Sequence, residues 1–314
     1  MMIFKTFSAQ NGIALITVML VLAVVSVALM SMSSDRQMDT RRTENQLRSL
    51  QAWQTVYEIE AWAIGQLKSD VDANKNDGLY DALNDDWNKP LKSKPTVQGT
   101  LKANIEDLQG RINLNNLIVD NKVDAESVQQ LKRLFTNLNI KPSIVEALVD
   151  WVDKDMLVNS SGGAEDEYYT KLSPPYRSAN TLFADVSELL KVRGITSVVY
   201  KKLLPYIYVA PTYESININT ASVEVLRTLA PDITKKDAES IYSASGKPFK
   251  KVQLFLEDEA MGGIAVNKDH LTVISSYFLL SGQITMGKSD LIFQSQLNRD
   301  NLGKVSVLKR LRRS

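Results

Sequence analysis

The chain has 314 residues, enough for two hydrophobic cores, with 37 basic and 36 acidic side chains and a formal net charge of +1. Charges this balanced give no global field that would steer it onto nucleic acid. The absence of cysteine excludes disulfides, zinc–thiolate sites and thiol catalysis; the one histidine, His270, lies in KDHLTVISSYF, which alternates like a strand start rather than a catalytic loop.

No charged side chain occurs from Thr6 to Ser34, and Ile13 to Met32 is a nearly unbroken apolar run, IALITVMLVLAVVSVALMSM. As a helix it rises about 30 Å, the thickness of the hydrocarbon core. It is too long for the apolar region of an ordinary signal peptide, and SSDRQMDTRR follows where a small-residue cleavage site would stand. A plain single-span anchor is one reading. The short polar leader before the run contains Lys5, on the side the positive-inside rule expects, and ends in Gly12. It resembles a prepilin leader, cut after Gly12 so that the mature chain begins at Ile13 and keeps the apolar segment. From Leu47, apolar residues recur at Leu50, Trp53, Tyr57, Ala61 and Ile64, and Glu44 with Arg48 forms an i,i+4 pair. No glycine or proline interrupts Ile13 to Ala63. One helix of roughly 80 Å is predicted, apolar in its first half and amphipathic in its second.

The next stretch, KSDVDANKNDGLYDALNDDWNKP, is polar. Asp72, Asn74 and Asn76 alternate ahead of Gly78, but the glycine is one place late for a calcium loop and Leu83 stands where the bidentate acid belongs, so a solvated turn-rich loop is predicted. TVQGTLKANIED, from Thr96, alternates as a strand. Two later segments then begin alike, INLNN at Ile112 and ININTAS at Ile216, with Asn115 and either Asn219 or Thr220 as predicted N-caps. FADVSELLKV from Phe183 matches FKKVQLFLED from Phe249, and LLPYIYV from Leu203 matches LTVISSYF from Leu271. A helical unit is therefore duplicated, its first copy holding an insertion at about residues 153–180.

The second copy resembles the helix-hairpin-helix unit of DNA-binding proteins, which makes a membrane-anchored DNA-binding protein of a DNA-uptake system the alternative function. Such hairpins bind phosphate through backbone N–H groups of a Gly-x-Gly turn. Here the turns read LAPDITKKDAESI, where Pro231 has no N–H and Asp232 repels phosphate, and LNIKPSIVEAL, without glycine. Both hairpins read as packing modules, with no nucleic acid expected.

The insertion, DWVDKDMLVNSSGGAEDEYYTKLSPPYRSAN from Asp150, gathers two acidic groups. Asp150, Asp153 and Asp155 fall where a helix from Ser143 should end, a place that favours a cation. Glu165, Asp166 and Glu167 follow the Gly162-Gly163 turn. Oxygen donors without nitrogen or sulfur suit a hard cation, although the spacing fits no EF-hand and a solvated acidic loop is the other reading. No nucleophile accompanies the acids, so no enzymatic activity is expected. The C-terminal segments HLTVISSYFLLSGQITM, KSDLIFQSQLNRD and GKVSVLKRLRRS read as strands, with turns at Gly287-Lys288 and Asn301-Leu302-Gly303.

Together these features resemble the minor pseudopilin K family of bacterial type II secretion systems, over essentially the whole chain. Most pilins carry glutamate at the fifth mature position; here that position is Thr17, the departure found in this family. The insertion is similar to the family's DW-x-D-x-D … GGAED-x-YY … PPYR-x-AN segment. The resemblance implies calcium, one or two ions, held by Asp153, Asp155, Glu165 and Asp166 with Asp150 as a further ligand, while Tyr168, Tyr169, Pro174, Pro175 and Tyr176 pack the loop. It implies an α+β, pilin-like fold, a long N-terminal helix on a small antiparallel sheet, with a large inserted all-α domain of helix-hairpin-helix-like or SAM-like repeats. The expected divisions are a leader (1–12), a transmembrane half-helix (13–34), a discontinuous pilin domain (35–110 and 270–314) and the inserted domain (111–269) with its acidic loop (150–180). The implied role is at the tip of the pseudopilus, nucleating or capping assembly with minor pseudopilins I and J and the other pseudopilins, in support of export across the outer membrane. Prepilin peptidase, methylation and a single inner-membrane span with a periplasmic body belong to the same expectation.

Overall fold

The structure, a computed structural model, describes residues 11–74, 78–96, 99–243, 246–286 and 289–313. The predicted leader up to Gln10, Asn76 of the polar loop and the Gly287-Lys288 turn lie outside these residues. The chain divides into two compact units, Met1–Tyr57 and Glu58–Ser314.

The first unit belongs to helix α1 (Asn11–Asn74), which from Ile13 is long and apolar enough to cross a membrane. With no proline and no interior glycine before Gly65, nothing breaks its hydrogen-bond ladder, and it runs beyond the predicted end at Ala63. Thr17 turns its hydroxyl back onto the carbonyl of Ala14, at 2.9 Å. The predicted apolar stripe is displaced: Leu47, Leu50 and Tyr57 are exposed and Ala61 faces solvent. The last turns, which belong to the second unit, bury Ile59, Ala63 and Leu67 instead, a row in which alanine lets the backbone approach its neighbours closely.

The second unit is built on a five-stranded antiparallel sheet ordered β1-β2-β9-β10-β11. Its first pair is β1 (Leu91–Thr96) and β2 (Gly99–Asp107), so the single strand predicted from Thr96 is in fact the end of one strand and the start of the next, with Thr96 opposite Gly99. The other three strands come from the far end of the chain: β9 (Tyr277–Met286), β10 (Ser289–Arg299) and β11 (Val305–Arg313). Gly303, at φ 78°, makes the predicted turn before β11. Period-two burial marks the inner face, through Phe278, Leu280 and Ile284 on β9 and Leu291, Phe293, Ser295 and Leu297 on β10. Gly282 sits in this row because a Cβ there would strike the Phe293 ring. Glu60 of α1 reaches the same face: it accepts from Ser295 Oγ at 2.7 Å and from Arg310 Nε at 2.8 Å.

Between β2 and β9, whose last and first rungs pair Asp107 with Phe278, the chain builds a helical body around one core. Its duplication is visible in backbone pairing. Strand β3 (Ile112–Asn113) is followed by the small hairpin β4 (Ile118–Val119) and β5 (Lys122–Val123), helices α2 (Ala125–Asn137), α3 (Ile144–Val152), α4 (Asp166–Tyr169) and α5 (Ser197–Leu203), and β6 (Ile207–Tyr208), which pairs in parallel with β3. The second copy runs β7 (Ile216–Asn217), α6 (Val223–Leu226), α7 (Lys235–Ser243), α8 (Val252–Leu256) and β8 (Leu271–Thr272), and β8 pairs in parallel with β7. Ile207, not Leu203, is therefore the counterpart of Leu271.

Asn115 and Asn219 are not N-caps. The Asn115 side-chain amide donates to the carbonyl of Phe183 at 3.0 Å and accepts from its N–H at 2.8 Å; Asn219 does the same to Phe249 at the same two distances. A side-chain amide carries both a donor and an acceptor and so satisfies both polar groups of one buried residue, which a helix cap cannot do. Asp124, absent from the prediction, caps α2 through Ser127 N.

Candidate metal centre

Helix α3 buries Val145, Leu148, Val149 and Val152 and carries Asp150 in its last turn. Asp153 is its C-cap, its N–H bonding Val149 O at 2.9 Å while its backbone turns extended. The chain then loops back. Asp155 Oδ1 accepts from Leu157 N at 2.8 Å, a short Asx turn, and Asn159 returns to clamp the helix end. Asn159 Nδ2 donates to Asp150 Oδ1 at 2.7 Å and to Asp153 Oδ2 at 3.0 Å. Gly162 and Gly163 are required by proximity. A Cβ on Gly163 would run into the Asp150 carboxylate, and one on Gly162 into the carbonyl of Ser143. Arg193 Nη1 fixes the turn through Gly163 O at 2.7 Å. Glu165 follows, its Oε2 accepting from Ser178 Oγ at 3.0 Å.

The result is a cluster in which one carboxylate oxygen each from Asp153, Asp155 and Glu165 lies within 4.8 Å of the others. Asp150, Asp153 and Glu165 are buried; Asp155 is exposed. Asp150 Oδ2, Asp153 Oδ1 and Glu165 Oε1 are buried and accept no hydrogen bond. Burial raises the Glu165 carboxyl to about 7, against the Ser178 hydrogen bond and with Asp150, Asp153 and Asp155 adding to the rise. Burial, then the neighbouring Asp155, raises Asp153 to about 6, and burial raises Asp150. Asp166 stands apart: its Oδ1 accepts from Ser178 N at 2.9 Å and Oγ at 3.0 Å, and its Oδ2 faces Arg177 Nε at 3.6 Å.

Tyr169 is fully buried, edge-on to Trp151 at 5.2 Å and stacked on Tyr176 at 5.3 Å, whereas Tyr168 is partly exposed beneath Arg193 and Pro174 and Pro175 face solvent instead of packing the loop. Asn159, Ser178 and Arg193 have no advance signal in the sequence, since each acts across a turn whose course spacing does not reveal.

The donor set fits a hard cation. Oxygens about 2.4 Å from a shared calcium ion are at most about 4.8 Å apart, the limit that Asp153, Asp155 and Glu165 meet. Unpaired buried carboxylate oxygens are costly unless a cation or a proton answers them.

A second carboxylate cluster lies at the end of α1, where Asp70, Asp81 and Asp85 also bring one oxygen each within 4.8 Å. Its charge is answered from within: Arg299 pairs with Asp81 Oδ2, faces Asp70 Oδ2 at 3.6 Å and donates to Ser275 O at 2.7 Å. Asp85 accepts from Ala82 N at 2.7 Å and Trp87 Nε1 at 3.2 Å.

Helix α1 is thus apolar at its start, its last turns belong to the unit built on the sheet, and a helical body is inserted between strands β2 and β9. Models of type II secretion system protein K match residues 110–212 and 216–273. Type II secretion system protein K of Pseudomonas aeruginosa is 34% identical over 96% of this chain and 92% of its own length; that of Aeromonas hydrophila is 29% identical over 96% and 97%. A chain of the GspK-GspI-GspJ complex of enterotoxigenic Escherichia coli superposes with a TM-score of 0.77 at 27% identity, covering 87% of this chain and 99% of its own. The chain belongs to the type II secretion system protein K family.

Proposed function

We propose that the chain occupies the tip of the type II secretion pseudopilus, where it starts or caps the filament together with partners of the kind named I and J. The observation that carries this is Thr17, whose hydroxyl is satisfied inside its own helix by Ala14 O. In a filament, glutamate at this place would answer the amino terminus of a neighbour. A carboxylate without that partner in an apolar bundle costs several kcal/mol, and threonine needs none. The helical body between β2 and β9 is the bulk that stops a further subunit from adding. The E. coli relative was solved as a GspK-GspI-GspJ complex, which supports the same partners here. On this reading prepilin peptidase cuts after Gly12, methylation follows, α1 holds the protein in the inner membrane and the body lies in the periplasm. Its role is structural, with no catalytic step.

In the acidic loop, Asp153, Asp155 and Glu165, with Asp150 behind them, would hold a calcium ion, whose charge offsets theirs and orders the loop. The hairpins resemble helix-hairpin-helix units reduced to packing. At the start of α7 the Thr234 and Asp237 N–H groups are taken by each other's side chains, at 3.0 and 3.2 Å, leaving those two donors engaged where a phosphate would sit.

The test is in cells lacking the endogenous copy. Wild type is expected to restore secretion, begin at Ile13 on N-terminal sequencing and co-purify with pseudopilins I and J. A mature chain beginning at Met1, or recovery without either pseudopilin, rules out the tip assignment.

A further inference from the structure

Each carboxylate of the acidic loop's cluster has one oxygen held by a neighbour outside the cluster. Ser178 Oγ donates to Glu165 Oε2, Leu157 N to Asp155 Oδ1 and Asn159 Nδ2 to Asp153 Oδ2. Asp153 and Glu165 each keep one further oxygen, Oδ1 and Oε1, which is buried and accepts no hydrogen bond. The three holders differ in how they are themselves fixed. Leu157 is exposed, and Ser178 Oγ, with one proton to give, also lies 3.0 Å from Asp166 Oδ1. Asn159 is tied down. Its Nδ2 also donates to Asp150 Oδ1 at 2.7 Å, and its main-chain N–H donates to the same oxygen at 3.3 Å. Asp150 is fully buried in the last turn of α3. An unbroken chain of contacts thus runs from the helix, through one amide, to the Asp153 carboxylate.

We propose that Asn159 is a positioning residue for the cation: it spaces Asp153 from Asp150, leaves Asp153 a single oxygen to offer, and by that fixed spacing favours calcium over magnesium. The inference rests on the reading of the loop as a calcium site. A planar amide directs its two hydrogens apart, so it bridges two carboxylates that would otherwise repel. Asp153 is then set in place before an ion arrives. Calcium holds its oxygens at about 2.3–2.6 Å and magnesium at about 2.0–2.1 Å, so donors that cannot close in suit the larger ion and penalise the smaller. An amide that only closed the loop would not distinguish the two ions.

The test uses the full chain in detergent micelles, titrated with calcium chloride by calorimetry and then with magnesium chloride against the bound calcium. Asn159 is exposed, so Asn159→Leu, close in size but without a donor, should fold as wild type does. Its calcium affinity should fall about tenfold, the usual cost of removing a group that orients a metal ligand. The ratio of magnesium to calcium that displaces half the calcium should also fall below the wild-type ratio. Asn159→Gln, which keeps both amide hydrogens, should lie between the two. Unchanged calcium affinity in Asn159→Leu, or magnesium competing no better than it does against wild type, overturns the role of Asn159 and leaves the calcium site standing. Absence of calcium binding by wild type overturns the site itself and this inference with it.

Discussion

The two carboxylate clusters have nearly the same inventory and opposite solutions. Asp70, Asp81 and Asp85 share their space with Arg299, which is 2% exposed and held by the carbonyl of Ser275. Asp153, Asp155 and Glu165 are equally close, yet among the described residues no lysine or arginine forms an ion pair with them, and Asp153 Oδ1 and Glu165 Oε1 are left without hydrogen bonds. A fixed guanidinium answers part of the first cluster's charge from within the chain, although Asp81 Oδ1 accepts no hydrogen bond and burial still raises Asp70 to about 7 and Asp81 to about 6. If the second cluster holds a cation as proposed, the order of its loop depends on what the medium supplies.

The largest effect should come from removing the internal cation. Arg299→Met leaves Asp81 buried without its partner and should cost about 3–5 kcal/mol, read from urea unfolding midpoints. Calcium should not recover that loss, and Asp81→Asn added to Arg299→Met should recover part of it. A loss below about 1 kcal/mol would mean that Arg299 is not what holds this cluster.

Withdrawing the external cation should act less strongly. A ligand at a hundredfold excess over its Kd stabilises the folded state by about 2.7 kcal/mol. Chelator should lower the melting temperature by several degrees, with recovery in calcium and much less in magnesium, which demands tighter octahedral geometry. Asp153→Asn should abolish the response to calcium while leaving the Arg299→Met effect unchanged. An identical melting curve with and without chelator reduces the loop to a solvated acidic turn.

Gly163→Ala tests the close approach at the same site. The added methyl meets the Asp150 carboxylate and should cost about 1–3 kcal/mol, with weaker calcium binding. Calcium affinity unchanged in this variant would show that Asp150 does not support the ion.

The smallest effect concerns pH. Glu165 and Asp153 have folded-state pKa values raised to about 7 and about 6, so between their unfolded values and these the folded state holds more protons than the unfolded one. Stability in chelator should therefore be fullest in mild acid and fall as pH rises through 6 to 7. Asp81, also raised to about 6 by burial, contributes the same slope with or without calcium, so the difference between the two titrations isolates the loop. A calcium-bound protein should lose that extra slope, and equal slopes in both conditions would break the distinction between the clusters.

Much of this was legible in advance, and the failures share a cause. Charge-free length announced α1, the paired INLNN and ININTAS segments announced the duplication, and two acidic runs announced the loop. The wrong register of the apolar stripe arose because Ile59, Ala63 and Leu67 differ from the predicted positions only by a rotation about the helix, which is set by the sheet beneath. Asn115 and Asn219 looked like caps because asparagine before a helical pattern usually is one, while their partners Phe183 and Phe249 lie far along the chain. The Asp81–Arg299 pair joins residues from opposite ends of the second unit, and no local pattern marks it.

The rung that pairs Asp107 with Phe278 has a consequence during synthesis. When β2 leaves the ribosome its neighbour β9 is still roughly 170 residues away, and closing so long a loop from a disordered chain is slow. Domains emerging first fold first, so the helical body is complete before the sheet can be. Once folded, it brings its two ends to one rung: Asn217 Nδ2 donates to Asp107 Oδ2, in the rung itself, at 3.0 Å and to Ser275 Oγ, three residues before Phe278, at 2.9 Å. Until then β2 presents a bare edge to every other nascent copy. The time taken to synthesise the insertion, and not its folding, therefore sets how long this edge is exposed to aggregation.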